Sequence, residues 1–301
     1  MTRLIKLFAL ILALLAGWTV PALAEVPAAA PAATTPARPA LWKIADADTT
    51  IWLFGTIHAL PAGVEWFEGP VAAAIKGADQ LVTEIPETPQ DQMKAAVLQN
   101  ALLPEGKSLR ALLAPATRAK FERALTKYGL PVEAFDRFEP WYAAVALTAL
   151  PLAQSGYSPD NGVDERIGAE MKRLGRARIG LETAQDQFRM FAGLPMAVQK
   201  RYLAEVLDGI GTMNEELAAI VREWTAGSPE RLAALLNADE DDPHMVKALL
   251  TDRNKTWAAW LQKRLAQPGT VFVAVGAGHL AGKDSVQDVL ARAGLAVTRV
   301  Q

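Results

Sequence analysis

Two short apolar runs, one near each end of the chain, both lead into a Gly-x-x-His unit, and together they limit the fold most strongly. The run Val271–Val275 precedes Gly276–His279, and an apolar run at residues 50–54 precedes Gly55–His58. Continuous apolar runs of this length are typical of fully buried strands, and glycine lets the backbone turn sharply or approach a ligand closely. The two units contain two of the three histidines in the 301-residue chain. This pattern indicates a sheet whose strands end at functional side chains.

Strand patterns lie at both ends of the chain, and helical patterns fill its middle. The predicted strands are Leu41–Asp46, Thr50–Phe54, Asp79–Glu84, Arg178–Glu182, Thr270–Val275 and Ala296–Val300, the last two taken as a pair. The main predicted helices are Gly69–Lys76, Ala116–Tyr128, Trp141–Leu150, Asn161–Leu174, Pro195–Asp208, Asn214–Trp224, Pro229–Leu236, Met245–Leu265 and Lys283–Ala293. Strand–helix alternation at both ends favours an α/β fold. We therefore predict a mixed sheet built from both ends of the chain, with a large helical insertion over about residues 90–265.

The first 24 residues have the pattern of a cleavable secretory signal peptide. Arg3 and Lys6 precede the apolar run Leu7–Ala16, and residues 22–24 form a small-x-small cleavage site. The 14 residues Leu7–Val20 are fewer than the roughly 20 that a membrane-spanning helix needs. The chain has no cysteine, which excludes a lipid-anchored lipoprotein. We therefore expect a periplasmic or secreted protein without a stable membrane anchor.

Composition predicts a disordered linker followed by one folded domain. Residues 25–40 consist mostly of Ala, Pro and Thr, too few large apolar groups to pack, and residues 41–301 have the length of one large domain. The chain has 31 basic and 33 acidic residues; without Arg3 and Lys6 the counts are 29 and 33, a net charge near −4. A mildly acidic protein without a basic cluster is not expected to bind nucleic acid. The lack of cysteine also excludes thiol nucleophiles and thiolate metal sites.

Four of the predicted strands end at, or just before, side chains that can bind a metal: His58, Glu84, Glu182 and His279. In open α/β sheets, ligands bind beyond the carboxyl ends of the strands. Two imidazoles and a carboxylate with an open position form a hydrolytic metal site, and nitrogen and oxygen ligands suit Zn, Mn, Co or Fe. The metal would lower the pKa of a bound water, and a nearby carboxylate would accept its proton. The alternative for each histidine is a role within the core or a loop.

Two further polar residues, Arg253 and Asn254, lie on the predicted helix that precedes the last strands. Arg253 is suited to a substrate carboxylate, and Asn254 is suited to a hydrogen bond with a ligand or a metal-bound water. The alternative is an exposed polar helix face. His244 follows the acidic run at residues 239–242, a composition typical of a solvated loop.

Several segments match the pattern of one family, and they follow one another in order along the chain. They are LWKI and TIWLFGTIHALP within residues 41–61, LVTEIPE at 81–87, EPW at 139–141, NGVD at 161–164, GLET with Gln187 at 180–187, TDRN at 251–254 and VAVGAGHLAGKDSV at 273–286. In these segments the chain resembles the TraB/GumN family, which is similar to the Tiki metalloproteases and, more distantly, to erythromycin esterases and ChaN-like haem-binding proteins. Residues 283–285 depart from the family pattern, in which an acidic residue and a glycine are frequent.

The resemblance implies a divalent metal, Mn, Co or Zn, held by His58, Glu84 and His279, with Arg253 and Asn254 nearby. Glu182 stays a further candidate ligand because of its position at a strand end. Two hypotheses follow. The first is an exported metal-dependent hydrolase, peptidase-like, that cleaves a peptide or another small substrate, with Glu84 as ligand or general base and Arg253 and Asn254 orienting the substrate. The second is a periplasmic protein that binds a metal or haem without turnover.

Overall fold

The computed structural model describes residues 35–236 and 242–301, which are organised around a six-stranded sheet. The strands are β1 Thr35–Pro36, β2 Leu41–Ala45, β3 Thr49–Thr56, β4 Leu60–Pro61, β5 Val64–Glu65, β6 Gln80–Thr83, β7 Tyr157–Ser158, β8 Ala177–Gly180, β9 Gly269–Gly276 and β10 Thr298–Arg299. The order in the main sheet is β10-β2-β3-β9-β6-β8. Strands β3, β9, β6 and β8 are parallel, whereas β2 and β10 form an antiparallel edge. The predicted α/β class with a mixed sheet from both ends of the chain is therefore confirmed.

Helices fill the region between β6 and β9, as predicted. The helix α1 Gly69–Gly77 precedes β6. Between β6 and β9 lie α2 Gln90–Asn100, α3 Leu109–Leu112, α4 Pro115–Lys127, α5 Pro140–Gln154, α6 Val163–Arg173, α7 Ala184–Ala192, α8 Met196–Gly209, α9 Met213–Thr225, α10 Pro229–Leu236, α11 Pro243–Val246 and α12 Asp252–Leu265, and α13 Val286–Arg292 follows β9. Only β7 and β8 interrupt this helical middle among the described residues. In the same residues, no helix has the combined length and apolar character that crossing a membrane requires.

Alternate residues of the central strands pack against helices on opposite faces of the sheet, as the twofold period of a strand requires. On one face, Val271, Val273 and Val275 of β9 join a cluster with residues of α12 and α13. On the other face, Phe272 and Ala274 join the larger cluster formed with most of the remaining helices. The continuous apolar run of β9 is explained by this burial on both faces.

Residues 35–40 of the predicted linker contact the folded domain, which corrects the linker prediction for this stretch. The predicted signal peptide and residues 25–34 lie outside the described residues. Residues 35–40, however, lie along the domain: β1 pairs with β5, the Ala37 amide donates to Glu65 O (2.8 Å), and the Arg38 amide donates to Thr225 O (2.7 Å). Ala/Pro-rich composition did not reveal these partners, because they come from residues distant in sequence.

Two other details differ from the predictions. The last two strands are not a pair: β9 lies between β3 and β6, whereas β10 pairs with β2, on the other side of β3. The predicted continuous helix Met245–Leu265 is divided by a π-helical turn, Lys247–Thr251, in which the Asp252 amide donates to the carbonyl of Lys247. Such wide turns occur frequently at functional sites. This one directly precedes Arg253 and Asn254.

We predict that Gly180→Ala destabilises the carboxyl end of β8. A Cβ at this position would lie 2.3 Å from Cδ of Pro86 and 2.6 Å from the carbonyl oxygen of Glu182, so the backbone would have to move. Overpacking of this kind costs roughly 1–3 kcal/mol of unfolding free energy, measurable by urea denaturation. Gly211→Ala is the matched control, because a Cβ there meets nothing within 4 Å. Equal stability of the two variants would contradict the prediction.

Candidate functional site

The four predicted metal ligands all follow strands whose carboxyl ends meet at one edge of the sheet. Thr56 at the end of β3 is in register with Gly276 at the end of β9, and Thr83 of β6 is in register with both Ala274 and Gly180. Because these strands are parallel, the segments that carry His58, Glu84, Glu182 and His279 leave the sheet at the same edge. Arg253 and Asn254 lie in the first turn of α12.

Arg253 is the centre of the hydrogen-bond network at this edge. Its Nη2 donates to Glu84 Oε2 (2.5 Å) and to Glu182 Oε2 (3.0 Å), and its Nε donates to Glu182 Oε1 (2.9 Å). Its Nη1 donates to the Leu249 carbonyl in the π-helical turn (3.1 Å) and lies 3.0 Å from His279 Nε2. The Arg253 side chain is only 6% exposed. A buried guanidinium with every nitrogen engaged acts as a counter-charge within the protein, and this burial argues against direct contact with a substrate.

The second carboxylate, Glu182, is held on the Arg253 side of the network. Besides Arg253, Trp257 Nε1 donates to Glu182 Oε1 (2.9 Å) and Gln187 Nε2 lies 3.3 Å from Glu182 Oε2. Gln187 also donates to Glu84 Oε2 (3.0 Å), so one amide links the two acids. These contacts occupy both oxygens of Glu182, which favours a role in holding Arg253.

The hydrogen bonds around His279 assign its tautomer. Asn254 is fully buried, and its Nδ2 donates to the carbonyl of Asp284 (2.8 Å), which leaves Oδ1 as the atom that faces His279 Nδ1 at 2.6 Å. Nδ1 of His279 therefore carries the proton, and Nε2 carries the lone pair that accepts from Arg253. Asp284 has a φ of 58°, a left-handed conformation uncommon for a non-glycine residue. Its carbonyl is thus presented to Asn254 by a strained loop.

Burial and neighbouring charges determine the charge states of Glu84 and His279 at neutral pH. Burial and the positive charge of Arg253 together lower the pKa of His279 to about 3, so the ring is neutral at neutral pH. Burial alone would raise the pKa of Glu84, but Arg253 and a hydrogen bond from the Gly276 amide (2.7 Å) lower it to about 2. We assign the lowered pKa of Glu84 chiefly to the charge of Arg253, because His279 is itself uncharged at neutral pH.

His58 is held in a different way from His279. Its Nδ1 lies 2.6 Å from Asp164 Oδ2, within ion-pair distance, although the angle is not that of a hydrogen bond. Burial works against a charged ring, but the charges of Asp164 and Glu84 raise the pKa of His58 above its ordinary value. His58 is therefore within electrostatic range of Glu84 while its direct partner is Asp164.

The donor chemistry of the site fits a divalent cation, although the present arrangement does not assemble three ligands. Nε2 of His279 and Oε1 of Glu84 lie 3.9 Å apart, and both are unprotonated at neutral pH. In residues 35–236 and 242–301, no three His, Asp or Glu side chains lie close enough together to hold a metal ion. The lone pair of His279 Nε2 instead accepts from Arg253. A cation and the guanidinium would therefore compete for the same atom.

Sequence reasoning overlooked four residues that shape this site: the side chains of Asp164, Gln187 and Trp257 and the backbone carbonyl of Asp284. Gln187 and the NGVD segment belong to the family resemblance, but no role followed from it. Trp257 packs in the core, yet it also donates to Glu182, and its ring lies against that of His279, with centroids 4.4 Å apart and planes tilted by 45°. His244, the third histidine, is exposed, and its amide donates to Asp242 Oδ1 (2.9 Å).

Comparison with known proteins gives a family and distant relatives. The model of the TraB/PrgY/gumN family matches residues 40–299. A Treponema pallidum (strain Nichols) protein described as "Uncharacterized protein" is 23% identical over 278 residues, which cover 83% of this chain and 79% of the relative. The "Uncharacterized protein YbaP" of Escherichia coli (strain K12) is 24% identical over 241 residues, 79% of this chain and 86% of the relative. The Shigella flexneri protein of the same description gives the same values. No solved structure shows significant similarity to the chain.

Proposed function

The chain belongs to the TraB/PrgY/gumN family, and from this premise we propose that it is an exported metal-dependent hydrolase that cleaves an amide bond in a peptide or a similar small substrate. The observation that carries the proposal is the pairing of His279 with Glu84. The ring of His279 has its proton held on Nδ1 by Asn254, so Nε2 carries a lone pair, which accepts from Arg253 and lies 3.9 Å from the ionised carboxylate of Glu84. Metal-binding histidines are usually oriented in this way, by an oxygen that accepts from the other ring nitrogen.

In this proposal Glu84, His279 and His58 hold the cation. A bound divalent cation supplies Lewis-acid polarisation of a carbonyl group and lowers the pKa of a water molecule. A carboxyl group with a pKa of about 2 is a weak base, because efficient general bases have a pKa near the working pH. The charge state of Glu84 therefore supports a role as ligand over a role as general base.

Arg253 and Asn254 would set the protonation states of two metal ligands, Glu84 and His279. Asn254 keeps the proton of His279 on Nδ1, and Arg253 keeps Glu84 ionised. Glu182, Gln187 and Trp257 would in turn hold Arg253 and Glu84 in place. Their part in the reaction is to maintain geometry and charge before a substrate arrives.

The test combines metal analysis with peptide cleavage. The natively purified protein is expected to contain a divalent metal by elemental analysis and to cleave members of a peptide library with Mn²⁺, Co²⁺ or Zn²⁺. His279→Ala and Glu84→Gln should lower metal affinity and kcat/KM by at least about 100-fold, since loss of a ligand exceeds the 10–100-fold effect of losing an outer hydrogen bond. His244→Ala is the matched control and should retain both properties, because His244 is exposed and outside the network.

Each outcome of this test has a definite meaning. Metal content without cleavage by any of the three metals would favour a binding protein without turnover. A purified protein that contains no metal and cleaves no peptide would overturn the proposal. Loss of folding in His279→Ala, seen by circular dichroism, would assign this histidine to the core.

A further inference from the structure

The segment Asn161–Asp164 contacts the loop at residues 57–60, which contains His58, on both sides of the histidine. The amide of Val163 donates to the carbonyl of Ile57 (3.0 Å), which precedes His58. The Asn161 Nδ2 donates to the carbonyl of Leu60 (3.3 Å), and β4, which begins at Leu60, pairs with β7. The chain on either side of His58 is therefore held by the same short stretch, which leads into α6.

Gly162 makes the closest backbone approach in this contact. A Cβ at Gly162 would lie 2.3 Å from the carbonyl oxygen of His58 and 2.7 Å from that of Pro159. Contacts this short do not occur at real Cβ atoms, so only glycine lets the two backbones meet here. The close approach places the next residues, at the first turn of α6, beside the imidazole.

Asp164 then supplies the direct contact with the ring. It lies in the first turn of α6, and its Oδ2 is 2.6 Å from Nδ1 of His58. The two side chains are largely shielded, with 10% of His58 and 18% of Asp164 exposed. A carboxylate at this distance from Nδ1 favours the tautomer with the proton on Nδ1. His279 also has an oxygen at its Nδ1, that of Asn254, although those two atoms form a hydrogen bond.

We propose that the Asn161–Asp164 segment is the positioning element of His58: it holds the loop backbone on both sides of the histidine, and the Asp164 carboxylate keeps the proton on Nδ1, which leaves the lone pair on Nε2. The proposal deepens the function given above, because it rests on the role of His58 as a ligand. Asp164 is a positioning residue and makes no contact with substrate in this role.

The test reads the ring nitrogens of His58 directly by ¹⁵N NMR of histidine-labelled protein without added metal. Only three histidines are present, so His58→Gln and His244→Gln variants suffice to assign the signals. At a pH at which the ring is neutral, the wild-type Nδ1 should show a protonated and Nε2 an unprotonated chemical shift. In Asp164→Ala we expect the proton to move towards Nε2, with both His58 shifts changing while those of His279 stay.

A matched control and a second variant keep the test decisive. Asp160→Ala removes an exposed carboxylate four residues away and should leave the His58 shifts unchanged. Should Asp164→Ala fail to fold, Asp164→Leu fills a similar space without an acceptor oxygen and should still move the His58 shifts. Asp164→Asn, whose amide oxygen can accept from Nδ1 as Asn254 does for His279, should restore them in part. A second readout is Mn²⁺ or Co²⁺ affinity by calorimetry, which should fall roughly 10–100-fold in Asp164→Ala.

The two readouts separate this proposal from the proposed function. His58 shifts that are the same in wild type and in both Asp164→Ala and Asp164→Leu would overturn the positioning role, whatever metal binds. Shifts that change as expected, in a protein that binds no metal and cleaves no peptide, would support the positioning role while removing the hydrolase.

Discussion

Replacement of Arg253 by methionine is expected to lower the free energy of unfolding by about 3–5 kcal/mol, because it leaves two buried carboxylates without their counter-charge. Methionine has a similar length and no charge, so packing changes little while the contacts to Glu84 and Glu182 are lost. The remaining donors, Gln187 and Trp257, are neutral and cannot replace a guanidinium. Urea denaturation followed by circular dichroism gives the measurement.

Arg173→Met provides the matched control for this loss. Arg173 also makes two hydrogen bonds to one carboxylate, Glu170, both 2.8 Å long, but its side chain is 65% exposed. An exposed pair of this kind contributes at most about 1 kcal/mol. If Arg253→Met were no more destabilising than Arg173→Met, the Arg253 network would not hold this edge of the sheet together.

A compensated variant separates the charge effect from the loss of contacts. When Glu84 and Glu182 are also changed to glutamine, no charge is left unpaired, and replacement of a whole buried ion cluster by neutral groups is often close to neutral. We therefore expect the triple variant to regain most of the stability that Arg253→Met loses. An equal or larger loss in the triple variant would show that hydrogen-bond geometry, and not charge, dominates the network.

The fold could be predicted from local patterns because each central strand is buried on both faces. The run Val271–Val275 has no polar position, so its strand character was evident, and the apolar run at residues 51–54 indicated β3 in the same way. The pairing of the strands was harder to predict, because it depends on residues far apart in sequence. β9 lies between β3 and β6, whereas β10 is the outermost strand on the other side of β3 and pairs with β2. The π-helical turn before α12 has no composition signal that distinguishes it from an ordinary helix.

The site could be predicted only in outline, for a related reason. Four candidate side chains follow strand ends, and that much depends on position along the chain. Which of them touch depends on angles and rotamers, so sequence reasoning did not show that Arg253 lies between Glu84 and His279. The partner of His58 was equally inaccessible, because Asp164 is 106 residues later and reaches the ring only through the close approach of Gly162.

The buried, neutral state of His279 predicts a loss of stability in acid. The pKa of His279 falls from 6.5 to about 3 on folding, so below pH 6.5 the unfolded chain binds a proton that the folded chain does not. The free energy of unfolding then decreases as pH falls, with about 1.4 kcal/mol lost per pH unit in the window between the two values. Glu84 adds a loss at lower pH, because its pKa of about 2 lies below the ordinary 4.5. His58 acts in the opposite sense, since its raised pKa gives stability that is lost as pH rises.

The pH dependence of the unfolding free energy of a His279→Gln variant, subtracted from that of wild type, isolates the contribution of the His279 ring from those of Glu84 and His58. Unfolding free energies measured in urea at intervals from pH 8 to pH 4 should show wild type losing about 3 kcal/mol relative to His279→Gln between pH 6.5 and pH 4. The difference between the two proteins should be constant above pH 7, where the ring is neutral in both states. His244→Gln, a change at an exposed histidine outside the network, is the control variant. A His279→Gln profile parallel to wild type over the acid range would mean that His279 accepts a proton in the folded protein, and the lone pair assigned to Nε2 would then be unavailable to a cation at those pH values.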